Sequence, residues 1–223
     1  MKKKVLLTLI CALALVIGSV FGTMAYLTDT ESVQNTFTVG KVNITLDEAD
    51  TDKATDTNPD DITTGAGTDA QRDKANVYHL IPGETYPKDP IIHVSADSED
   101  CYLFVTVANG LAEIIDGTGD IEDIGEQMTR LGWDEVPGYT GVYYLADAQG
   151  NAIIENAGEN RVVFESFTVK GAEVGNSELG GIVPNGGKDL NNYKTANITV
   201  TAYAVQEAGF DSAADAWGAT FGD

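Results

Sequence analysis

Runs in which apolar and polar residues alternate recur along this chain, and they restrict its fold more than any other feature. The clearest run, residues 195–205, alternates Ile198, Val200, Ala202 and Ala204 with polar neighbours. A side-chain period of two is typical of a β-strand with one buried face. Further strand-like runs lie at residues 91–94, 102–107, 141–145, 152–155 and 162–169. The sequence therefore predicts a mainly β protein.

Short helices are predicted between these strands. Apolar residues in 110–132 recur at spacings of three and four, which indicates a helical insertion. Two short helices fit there, the second over about 121–131 with Asp120 as its N-cap candidate. Another short helix is predicted around 211–217. Because no βαβ rhythm is present, we expect residues 26–223 to form one antiparallel, jelly-roll-type β-sandwich.

Residues 47–76 predict a long acidic loop. They are rich in Asp, Thr, Gly and Ala and hold few large apolar side chains. Asp56, Asn58 and Asp60 have the alternate spacing of an EF-hand loop, but the positions that need Gly and a bidentate Glu hold Asp and Gly. A weak calcium site of another kind is the only cofactor that the sequence suggests.

The first 25 residues have the layout of a secretory signal peptide. Three lysines are followed by an apolar run over 5–21, and Thr23 and Ala25 supply the small residues of a cleavage site. We therefore expect cleavage after Ala25, secretion, and no stable membrane anchor in the mature protein. A retained anchor is the alternative, because the apolar run is just long enough to span a bilayer.

The formal net charge of −22 narrows the range of partners. Nucleic acids and anionic membrane surfaces are not expected, because binding phosphate requires an excess of Lys and Arg. Strong negative charge favours solubility, cation binding and repulsion between copies of the chain.

No catalytic motif is present. The chain has two histidines, His79 and His93, both in segments predicted as strands, and it lacks HExxH and GxSxG patterns. Cys101 is the single cysteine after the signal peptide, so no internal disulfide can form. We expect Cys101 to be a small buried residue, with cross-linking of two copies as the alternative. An enzyme is not predicted.

Four aromatic residues raise the alternative of a surface module that binds carbohydrate or protein. Trp133, Tyr139, Tyr143 and Tyr144 lie close together in the sequence and could form a binding platform. Packing into the core is the favoured interpretation of the same four residues.

An alternating segment lies soon after the expected cleavage site. Phe37 and Val39 share one face, and after a central glycine Val42, Ile44 and Leu46 again share a face. Processing would free this strand to pair with an exposed sheet edge of another copy, which makes these five residues donor-strand candidates. Pairing within its own sheet is the alternative.

Two stretches resemble the TasA/camelysin family. GTMAYLTDTESVQNTFTVGKVNITLDEA, residues 22–49, is similar to the start of family members, and ITVTAYAVQEAGFDSAADAW, residues 198–217, is similar to their C-terminal part. The middle of the chain carries no such likeness.

The resemblance implies a bacterial biofilm-matrix or surface-fibre protein with a jelly-roll domain. It implies that a SipW-type signal peptidase removes the leader, and that copies self-associate by donating an N-terminal strand into the next subunit. Some members are labelled metallo-endopeptidases, but this chain lacks a zinc motif, so we do not expect that activity.

Overall fold

The computed structural model describes residues 41–51, 72–177 and 181–222. The strands are β1 (Ile44–Ala49), β2 (Arg72–Asp73), β3 (Thr85–Pro87), β4 (Ile91–Val94), β5 (Cys101–Asn109), β6 (Trp133–Glu135), β7 (Val142–Leu145), β8 (Asn160–Val162), β9 (Ser166–Thr168), β10 (Val174–Gly175), β11 (Lys188–Asp189) and β12 (Ile198–Gln206). The helices in these ranges are α1 (Ile124–Arg130), α2 (Ala213–Phe221) and a 3-10 helix, Leu190–Tyr193.

Two four-stranded antiparallel sheets dominate the described residues. Their strand orders are β2-β1-β4-β8 and β12-β5-β7-β6. A β3–β9 antiparallel pair and a β10–β11 parallel pair complete the described strands. The prediction of a mainly β protein with antiparallel sheets is therefore confirmed.

The longest ladder joins β5 to β12. It runs without interruption from Cys101 opposite Gln206 to Asn109 opposite Ile198. Leu103 and Val105 of β5 are fully buried. The alternating residues of β12 lie on the same face as these two side chains, as the sequence predicts for a half-buried strand.

The second sheet is covered on both faces. Its inner face shares one core with the first sheet, which contributes Ile92 and Val94. Its outer face packs under α2, where Trp217 contacts Phe104 at a ring-centroid distance of 5.2 Å. Where α2 lies, the sheet β12-β5-β7-β6 is therefore the middle of three layers, with α2 on one face and the sheet β2-β1-β4-β8 on the other.

The predicted helical insertion at 110–132 contains one α-helix, α1, and not two. The first predicted helix is a turn, in which the N–H groups of Ile114 and Ile115 both donate to Leu111 O. The predicted N-cap Asp120 is also wrong, because Asp123 caps α1. Asp123 accepts from the Glu126 N–H at 2.8 Å, and the Glu126 carboxylate accepts from the Asp123 N–H at 2.9 Å. This reciprocal capping box fixes the helix start.

Both ends of the predicted acidic loop lie in strands. β1 continues through Asp47 and Glu48 to Ala49, and Ala49 faces Arg72 of β2. Asp47 and Glu48 are also buried. The acidic loop is therefore shorter at both ends than the predicted range 47–76. Residues 52–71 lie outside the described part of the chain.

Three other predicted strands differ in detail. The run 162–169 is divided between β8 and β9, and buried Val163 and Phe164 lie between them. The run 152–155 forms isolated bridges at Ala152 and Glu155 only. His79 lies outside regular secondary structure, whereas His93 is in β4.

Within the described ranges, no helix is long and apolar enough to cross a membrane.

Candidate functional site

A groove of about 740 Å³ lies where the end of β1 approaches the start of β12. Leu46 of β1 and Ile198 and Val200 of β12 line it, and the buried side chains of Phe167 and Leu190 also reach its surface. Ile198 and Val200 face the core but are only half-buried. Apolar surface on the inner face of β12 is therefore left incompletely covered at the groove.

β12 is a long edge strand with no charged side chain. Its nine residues, ITVTAYAVQ, pair only with β5 among the described strands. Folded proteins usually protect an exposed edge with a charge, a proline, a bulge or a very short strand. β12 has none of these devices in its continuous ladder, and this makes it a candidate for pairing with another strand.

The edge strands on the side of the protein opposite β12 are β6 and β8, which are short and charged. β6 and β8 have three residues each. Arg161 of β8 lies 2.9 Å from the Glu155 carboxylate and 3.7 Å from that of Glu159. The two sides of the protein therefore differ strongly in their capacity to accept a further strand.

Buried ion pairs hold the end of β1 in its own sheet. Arg72 Nε donates to Asp47 Oδ1 at 2.6 Å, and Arg72 Nη1 donates to Asp89 Oδ2 at 2.9 Å. Asp89 Oδ1 in turn accepts from the Ala49 N–H at 2.7 Å. Burial by itself lowers the pKa of Arg72. Hydrogen bonds to Asp47 and Asp89 outweigh this effect and raise the pKa above its ordinary value, so the guanidinium stays charged.

Contacts of Lys88 and His93 extend this cluster. Lys88 Nζ donates to Glu48 Oε2, and both side chains are almost fully buried. His93 Nε2 lies 3.0 Å from Asp47 Oδ1, and His93 Nδ1 lies 2.7 Å from Asn160 Oδ1. No local sequence pattern indicates this cluster, because its partners lie far apart along the chain.

Three of the five donor-strand candidates are paired or packed within the chain. Ile44 faces Val94 and Leu46 faces Ile92 across the β1–β4 ladder. Val42 packs beside them against the shared core. These residues follow the own-sheet alternative, so the candidate donor segment is confined to residues before Lys41.

Seven predicted site residues lie outside the described ranges. They are Thr23, Ala25, Phe37, Val39, Asp56, Asn58 and Asp60. In the part of the chain that the structure describes, no group of three or more His, Cys, Asp or Glu side chains is arranged to hold a metal ion.

Cys101 is fully buried at the start of β5. Burial, together with the nearby charges of Glu155 and Asp100, raises the pKa of its thiol to about 11. The thiol is inaccessible and protonated near neutral pH, so the alternative of cross-linking two copies through Cys101 is wrong for the folded protein.

The four aromatic residues do not form a common platform. Trp133 is buried in the core between the sheets, and its Nε1–H donates to Val162 O at 2.8 Å. Tyr144 is buried on the other face of the same sheet, and its hydroxyl donates to Gly150 O at 2.8 Å. Tyr143 and Tyr139 are half-buried and pack against the core clusters that contain Trp133 and Tyr144, respectively. Core packing is their role.

The chain was also compared with known proteins. No family model matches it, and no curated protein and no solved structure gave a match.

Proposed function

We propose that this chain is a secreted structural subunit that polymerises by strand addition. In this proposal, residues 26–40 of one copy pair with the edge of β12 in the next copy, within a biofilm matrix or cell-surface fibre. The domain is a jelly-roll-type β-sandwich, as the TasA/camelysin resemblance implies. The observation that carries the proposal is the long, uncharged edge of β12 beside an apolar groove.

An added strand would use both features. Unpaired main-chain groups along an edge supply hydrogen bonds, and pockets beside the edge select alternate side chains. Ile198, Val200, Ala202 and Ala204 face the core and are half-buried, so a neighbouring strand would cover them further. Phe37 and Val39 have the alternate spacing that such pockets accept.

The ends of the described domain favour an open head-to-tail contact. Lys41 O accepts from the Glu99 N–H at 3.0 Å, close to where Cys101 faces Gln206 at the end of β12. The groove lies at the start of β12, about 30 Å away for a nine-residue strand. A donor rooted at one end and an acceptor groove at the other suit a contact that continues from copy to copy instead of closing.

A non-polymerising module that binds carbohydrate or protein is the second candidate. A groove of about 740 Å³ is large enough for a small ligand. However, Asn76 accepts from the Thr51 N–H at 2.7 Å and donates to Ala49 O at 3.0 Å. Asn191 Nδ2 donates to Ser177 Oγ at 2.6 Å. Because these lining amides already have partners, the groove is less suited to reading sugar hydroxyls than to covering apolar side chains.

Electron microscopy of two purified proteins tests the proposal. One begins at Tyr26 and the other at Lys41, and equal melting temperatures would show that both are folded. We expect filaments from the first protein only. If neither forms filaments at acidic pH or with calcium, strand donation is wrong, and a glycan array with the same protein becomes the next experiment.

A further inference from the structure

A row of aromatic contacts runs from β5 to the edge strand and ends at an exposed ring. Trp217 of α2 contacts Phe104 of β5 and Tyr203 of β12, each at a ring-centroid distance of 5.2 Å. One helical turn later, Phe221 contacts Tyr203 at 5.1 Å and Trp217 at 4.6 Å. Phe221 is 43% exposed, and Tyr203 is half-buried.

We propose that Tyr203 and Phe221 form the outer wall of the strand-accepting site, so that the site holds both faces of the incoming segment. This inference rests on the proposed function. The groove lies on the inner face of β12, whereas Tyr203 and α2 lie on its outer face. The site therefore has one apolar wall on each side of the strand edge.

The geometry of a β-ladder explains the contact. Side chains directly opposite each other on paired strands have Cβ atoms about 4.5–5.5 Å apart. A strand added beside β12 thus brings one outward-facing side chain against Tyr203 and within reach of the Phe221 ring. Burial of that ring then adds to the main-chain hydrogen bonds.

The occupant is residues 26–40 of a second copy. Fully extended, these residues reach about 50 Å, which exceeds the length of about 30 Å that β12 provides. The segment can therefore cover the groove at Ile198 and still pass Tyr203. This length allows the segment to extend beyond the groove along the whole edge of β12.

Thiol labelling of the protein that begins at Tyr26 tests the wall directly. Phe221→Cys places a reactive thiol in the wall, and Ile154→Cys is the matched control, since Ile154 is 40% exposed and does not line the groove. The native Cys101 is fully buried and does not compete. We expect maleimide labelling of Phe221→Cys to be at least tenfold slower in filaments than in monomers, with Ile154→Cys unchanged. Equal labelling of Phe221→Cys in both states would overturn the inference.

Three further variants measure the contribution of the Phe221 ring. Phe221→Ala should raise the protein concentration for half-maximal assembly about tenfold, whereas Phe221→Leu and Ile154→Ala should stay within about twofold of wild type. Because the Phe221 ring packs against Trp217 and Tyr203, assembly is compared at a temperature well below the lowest melting temperature of the three variants. If Phe221→Ala assembles like wild type, the wall is wrong while strand addition stands. If the wild-type protein never assembles, both proposals are wrong.

Discussion

Asp47 Oδ1 lies 2.6 Å from Arg72 Nε, and this ion pair joins two residues that are 25 positions apart. The same guanidinium also donates to Asp47 O and Asp89 O, at 3.1 and 3.2 Å. Arg72 therefore fastens β1, β2 and the approach to β4 to one another. Through this contact, an acidic sequence that looks loop-like becomes part of a sheet.

Breaking this pair should destabilise the fold. Asp47 is 4% exposed and Arg72 12% exposed, so either partner alone would be a charge with little access to water. We expect Arg72→Met or Asp47→Asn to lower the free energy of unfolding by about 3–5 kcal/mol, measured by urea denaturation. The exposed Lys41–Asp97 pair is the control, and Lys41→Met should leave the urea midpoint within error. An unchanged midpoint in Arg72→Met would contradict the role assigned to the cluster.

A positive charge on the β12 edge should prevent assembly. Thr201 is exposed in the middle of β12, and lysine on an edge strand disfavours pairing with another strand. We expect Thr201→Lys to abolish filaments at concentrations where wild type forms them, with no change in melting temperature. Thr140→Lys, an exposed substitution in the turn before β7, should assemble normally. Filaments of normal yield from Thr201→Lys would rule out β12 as the acceptor.

Salt should promote assembly. Copies of this strongly acidic protein repel one another, and added salt screens that repulsion. Light scattering should therefore rise faster at 300 mM than at 20 mM NaCl, concentrations that span roughly 20 to 6 Å of Debye length. A slower rise at high salt would contradict this prediction.

Cys101 should make the fold sensitive to alkaline pH. Folding raises the pKa of the thiol from 9.0 to about 11, chiefly through burial. Between these values the unfolded chain loses the proton while the folded chain retains it, so stability falls as pH rises. Between pH 9 and pH 11, wild type should lose more stability than Cys101→Ala. Parallel urea-denaturation curves for the two proteins over this range would contradict the burial argument.

Two substitutions at the start of α1 distinguish the N-cap predicted from the sequence, Asp120, from the N-cap in the structure, Asp123. Asp123→Ala removes the capping box and should cost about 1 kcal/mol, whereas Asp120→Ala should leave the free energy of unfolding nearly unchanged. Both changes remove one carboxylate, so overall charge does not distinguish them. The reverse order of effects in urea denaturation would restore Asp120 as the cap.

Local patterns predicted the strands that carry the fold, and long-range contacts explain most of what they missed. The alternation in 195–205 and the apolar run in 102–107 correspond to β12 and β5 because each strand has one face against the core. Asp120 and Asp123 are equivalent on residue type alone. Only Asp123 is followed three residues later by a Glu, which completes the capping box.

The candidate site was only partly visible in the sequence. Periodicity identified β12 as a strand, but its position at a sheet edge depends on the whole topology. The burial of Asp47 and Glu48 follows from Arg72 and Lys88, which lie 25 and 40 residues away. Phe221 gave no sequence signal, because its contact with Tyr203 joins separate elements.

The contrast between the long, uncharged edge of β12 and the short, charged edges of β6 and β8 also affects filament length. A polymer built through one acceptor per subunit has a vacant β12 at one tip and an unused donor at the other. A free peptide of residues 26–40 would cap the first tip, and a copy that has lost this segment would cap the second. Proteolysis ahead of Lys41 would then be enough to set how long the filaments grow.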